Sequence, residues 1–144
     1  YYRLTGGRVN VWFELKLWVS LYLMVWLAFL EIILVWGPVS SIAPLAYAHV
    51  VLGVLIFAIA YSNSSKLRRT NCPDRVKRIV KATVALAAFE GLLGILLYVS
   101  KIWLLPDLVT MGVGFLHMGT ALAIATQAAS TATAYDMWEE KEFL

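Results

Sequence analysis

The chain has 144 residues, 61% of them hydrophobic and only 15% charged, with 12 Lys and Arg against 9 Asp and Glu. That is more apolar surface than a soluble domain of this length can bury, and too little chain lies outside the apolar runs for a separate soluble catalytic module. The lone cysteine, Cys72, excludes disulfide exchange between paired thiols, and the net charge of +3 is spread as in a membrane protein, not as a nucleic-acid-binding face.

A membrane span needs about 20 mostly apolar residues. Four segments qualify, at residues 17–36, 42–61, 80–99 and 108–129. They predict an all-α, integral membrane four-helix bundle in a single domain, 1–144, with helices over about 14–36, 42–63, 78–99 and 107–135. The first segment is read as a span and not as a cleavable signal peptide, being too long, rich in Trp and followed by no small-residue cleavage site.

The first connection, Gly37-Pro38-Val39-Ser40-Ser41, is short, and so is the third, near Ser100 to Asp107 with Trp103 and Pro106. Short connections make successive helices antiparallel neighbours, giving an up-down-up-down bundle. Between the second and third spans runs SNSSKLRRTNCPDRVKRIVK, with Lys66, Arg68, Arg69, Arg75, Lys77, Arg78 and Lys81 against Asp74 alone. Arg3, Arg8, Lys16 and Lys141 fall on the same side, so that side holds eleven of the twelve basic residues and only Lys101 lies opposite. The positive-inside rule then puts both termini and the basic loop in the cytoplasm. A prokaryotic plasma membrane is the simplest setting. The loop reads first as a topology signal and second as a contact for anionic lipid. Trp36, Tyr98 and Trp103 on the outer side, with Tyr61, Tyr135 and Trp138 on the inner, are expected to form interfacial belts. The acidic tail DMWEEKEF is expected to continue the last helix.

Four ionisable groups fall inside the spans: His49, His117, Glu31 and Glu90. Intramembrane ionisable groups are costly and tend to serve function. The two histidines, the only ones in the chain, sit about 10 and 14 Å from the outer ends of the second and fourth helices at a rise of 1.5 Å per residue. Both helices run inward, so two imidazoles can face each other at one level, as bis-histidyl ligation of a haem iron requires. Ala46 and Gly53 flank His49, and Gly114 and Ala121 flank His117, small residues that would admit a flat macrocycle. The competing reading is a histidine serving only as a hydrogen-bond partner between helices. Glu31 and Glu90 are candidates for steering propionates or relaying protons, or are neutral acids bonded to a neighbouring helix. A short internal repeat joins these residues: Phe29-Leu30-Glu31 in the first helix is similar to Phe89-Glu90-Gly91 in the third, and each is followed by a helix with one histidine. The chain thus reads as two hairpins, each with one glutamate and one histidine.

The segments LEIILVWGPVS, AHVVLGVLIFAIAY and FEGLLGILLYVSKIWLLPDLVTMGVGFLHMGTALAIAT resemble one four-helix half of haem A synthase, the membrane enzyme that oxidises a methyl of haem O to the formyl of haem A. The resemblance implies His49 and His117 as axial ligands of a haem of b, o or a type. Ala46 stands where the family's catalytic half usually has glutamate, and Val50 where an arginine commonly follows the first histidine. The expectation is therefore a bis-histidyl, cytochrome-like membrane subunit for electron transfer or respiratory-complex assembly, partnered by lipid and by a second copy or larger subunits, with no nucleic acid. The alternatives are a compact haem A synthase, with Glu31 or Glu90 replacing the missing carboxylate, and a cofactor-free structural subunit or small transporter.

Overall fold

The computed structural model describes residues 11–35, 43–103 and 105–142. They form four helices and nothing else of regular structure: α1 (Val11–Val35), α2 (Ala43–Leu67), α3 (Asp74–Ile102) and α4 (Asp107–Glu142). Each is long and apolar enough to cross a membrane. Most large apolar side chains, such as Trp26, Phe29, Val54, Leu92 and Phe115, lie on the outside of the bundle. That inversion is what a lipid solvent permits, since burying such groups gains nothing over facing hydrocarbon.

Each helix packs on its neighbours in the chain, and α4 also packs on α1. Among the described residues, α1 and α3 stand across one diagonal and α2 and α4 across the other, their backbones too far apart for close packing and joined through side chains. The tightest packing lies near the α2–α3 turn, where Leu17, Leu21, Leu67, Cys72, Val76, Val80, Ala132 and Tyr135 form one buried cluster. Met24, Ile56, Ala60, Ala87, Ile124 and Ala128 form a second cluster beside it. The void between the helices there amounts to about 10 Å³, roughly one water.

Polar groups tie the helices at this end. Ser20 Oγ donates to Asn63 Oδ1 at 2.6 Å, joining α1 to α2. Thr83 Oγ1 donates to Gln127 Oε1 at 2.9 Å, joining α3 to α4. Asp136 on α4 accepts from Trp18 Nε1 at 3.1 Å and from Tyr22 Oη at 3.4 Å, both on α1. Within lipid a side-chain amide or hydroxyl has no water to fall back on, so such pairs fix helix register.

Two expectations change. The basic segment is mostly helix: α2 extends through Leu67 and α3 begins at Asp74, leaving only residues 68–73 as the turn. The cause is apolar periodicity, since Leu67, Val76 and Val80 point into the core while the cations between them face out. Cys72 lies in that turn with its side chain buried in the core. Tyr135 is also buried, stacked against Trp138 at 5.5 Å, so it belongs to the core and not to an interfacial belt. Tyr61, Tyr98 and Trp103 are exposed, as belt residues should be. Trp36 and the first connection lie outside the described residues. The acidic tail does continue the last helix, with α4 reaching Glu142.

Candidate functional site

Away from the packed end, the positions facing the bundle axis become polar or small. His49 on α2 and His117 on α4 meet across the diagonal, with ring centroids 6.0 Å apart and ring planes nearly perpendicular at 84°. The backbones of α2 and α4 are not close-packed, so the two helices meet here through their side chains.

Each histidine has its own carboxylate. Glu31 Oε1, from α1, lies 2.9 Å from His49 Nδ1, and Glu90 Oε1, from α3, lies 3.1 Å from His117 Nδ1. All four side chains are largely shielded, the most accessible being His49 at 30%. One glutamate–histidine pair is thus formed by α1 with α2 and a second by α3 with α4, as the internal repeat implies. A carboxylate at Nδ1 favours the tautomer with its proton there and leaves Nε2 as the nitrogen available to a metal.

The pairs are close but not well directed. Both Nδ1 atoms, together with Glu31 Oε2 and Glu90 Oε2, are buried without an aligned hydrogen bond.

The small residues divide. A Cβ built on Gly53 would lie 3.4 Å from Glu31 Oε1, so that glycine leaves room for the carboxylate. Gly114 and Ala121 are half-buried on α4, and a Cβ at Gly114 would meet nothing within 4 Å. Ala46 is exposed on α2, one turn before His49. Gly94, the last residue of the run Gly91-Leu92-Leu93-Gly94, also lies beside a ring. A Cβ there would lie 3.5 Å from His117 Cε1, so the ring rests against the bare backbone of α3. The signal was present, since Gly94 follows Glu90 by one helical turn.

Among the described residues, no group of three or more His, Cys, Asp or Glu side chains is placed to hold a bare metal ion. A haem asks less of the protein, because the macrocycle supplies four nitrogens and two imidazoles complete the coordination. Two metal–imidazole bonds of about 2 Å, plus the distance from each nitrogen to its ring centre, need centroids about 6 Å apart. The observed spacing of 6.0 Å is close to that length, while the His117 edge that carries Cε1 and Nε2 lies against Gly94 of α3, 3.5 and 4.0 Å from a Cβ built there.

Comparison with known proteins finds no matching family model, no matching curated protein and no matching solved structure.

Proposed function

We propose that this chain is a bis-histidyl haem protein of the membrane, with His49 and His117 as axial ligands and Glu31 and Glu90 holding them in place. The observation that carries the reading is the pair of imidazoles whose centroids lie 6.0 Å apart, each with a glutamate at Nδ1. A bound haem would supply reversible one-electron chemistry. With both axial positions filled by protein, that chemistry is electron transfer and not oxygen activation. The residues themselves orient the rings, hold a proton at each Nδ1 and exclude water from the centre. The haem would be of b, o or a type.

In the same reading the helices run up-down-up-down, the termini and the basic turn face the cytoplasm by the positive-inside rule, and the histidines lie toward the outer face. The membrane is the plasma membrane of a prokaryote. The apolar outer faces of the bundle suit a second copy or a larger respiratory subunit.

A compact haem A synthase is the second reading. It is favoured by the carboxylates that α1 and α3 bring to the histidines, which supply the acidic groups missing at Ala46.

The purified protein tests the first reading. It is expected to show a sharp α band on reduction with dithionite, lost in His49→Ala and in His117→Ala. No haem band in either redox state would remove both readings. Co-expression with a haem O synthase, followed by pigment extraction, separates them: haem A appears only if the chain is an enzyme.

A further inference from the structure

The α2–α3 turn carries a feature that electron transfer does not use. Arg68, in the turn just past α2, and Lys77, Arg78 and Lys81, in the first two turns of α3, line a solvent-open surface hollow of about 440 Å³ together with Asp74. Its shape is set from below. Leu67, Cys72, Val76 and Val80 are locked into the core, and Thr70 Oγ1 donates to the Leu67 carbonyl at 2.8 Å, closing the turn. Lys77, Arg78 and Lys81 are at i, i+1 and i+4 on the face of α3 next to Val76 and Val80, so one helical phase buries the valines and gathers the cations. Lys77 Nζ lies 3.9 Å from Asp74 Oδ1, whose carboxylate is almost fully exposed.

A topology signal needs cations on one side of the membrane but does not need them to converge. Here four cations from the turn and α3 surround one space beside one carboxylate. We propose that this hollow is a binding site for a phosphate ester, taken from an anionic phospholipid or from a soluble phosphate compound. Arg68 and Arg78 grip the phosphate oxygens through guanidinium N–H groups, and Lys77 and Lys81 add point charge. Asp74 accepts a hydrogen bond from a hydroxyl of the headgroup, which favours a polyol phosphate over a bare one. The site is independent of the haem reading, because it lies at the other end of the bundle and shares no residue with the histidine pair.

The test compares two double variants of equal charge: Arg68→Gln/Arg78→Gln, within the hollow, and Arg69→Gln/Arg75→Gln, on exposed residues outside its lining. Binding of phosphatidylglycerol to the full-length chain is read by native mass spectrometry from detergent, with phosphatidylcholine as the neutral control. The expected result is a preference for phosphatidylglycerol that falls about tenfold or more in the hollow variant, at roughly fivefold per cation, and stays within about twofold in the outer variant. Competition by inorganic phosphate or glycerol 3-phosphate identifies a soluble ligand for the same site, whereas insensitivity to both identifies the lipid. Equal losses in the two variants, or no preference over phosphatidylcholine, would overturn the site and leave only diffuse charge. Retained helical circular dichroism shows that either variant still folds.

Discussion

Glu31 and Glu90 govern what their histidines can do, because an imidazole held at Nδ1 presents Nε2 in a fixed orientation. Replacing Glu31 or Glu90 by Gln keeps the size and removes the charge. Each variant is expected to retain the α band while haem affinity falls about 10- to 100-fold, the usual cost of losing a group that orients a metal ligand. Titration of the apoprotein with haemin measures this, and unchanged affinity in both would show that the carboxylates do not serve the ligands. Gly94 offers a steric test. A methyl group there would sit in ordinary contact with the His117 ring at 3.5 Å, so Gly94→Ala should bind haem nearly as the parent does. Gly94→Leu has no room beside the ring and should lose the band while the bundle still folds. Both glutamates were visible in the sequence as intramembrane acids, yet their partners were not. The sequence left them either near the haem or as neutral acids bonded to a neighbouring helix, and the histidines are the observed neighbours.

At the scale of helices, hairpin arithmetic explains that miss. In an antiparallel pair, residues equidistant from the turn lie side by side. Glu31 and His49 are centred on position 40, and Glu90 and His117 on the bond between 103 and 104. Ser20 with Asn63 and Thr83 with Gln127 obey the same rule lower in the bundle. The four spans were legible from apolar run length alone, and the histidines' shared level from counting along them. Which face each helix buries was not legible: with lipid outside and protein inside equally apolar, hydrophobic periodicity loses its contrast. That is why Tyr135 was misplaced, while the polar residues were reliable guides to the interior. Asn63→Leu and Gln127→Leu should each destabilise the bundle by about 0.6 kcal/mol, reaching about 1.7 at most, measurable by unfolding in mixed micelles. The buried α2–α3 turn yields a further expectation. Cys72 should resist a membrane-permeant maleimide in the folded protein and react after denaturation, whereas prompt labelling would contradict the burial of the turn.

Over the whole molecule, two ends with different tasks share one bundle. The end near the α2–α3 turn holds both buried apolar clusters and most interhelical hydrogen bonds, and it supplies rigidity. The other end places two glutamate–histidine pairs around an axis where α2 and α4 meet through their side chains. Such a division suits a ligand held by a stiff frame, since packing is spent where no ligand sits. The proposed orientation predicts that green fluorescent protein fused after Leu144 will fluoresce and that alkaline phosphatase fused there will be inactive; the reverse pattern would put the basic turn outside. The most direct measurement is electron paramagnetic resonance of the oxidised, purified chain alongside its two histidine variants. The account predicts a low-spin ferric haem signal at about one haem per chain or per assembled site, replaced in His49→Ala and in His117→Ala by a high-spin signal or by loss of haem. A low-spin signal that survives both substitutions, or a parent chain that binds no haem, would contradict ligation by this pair.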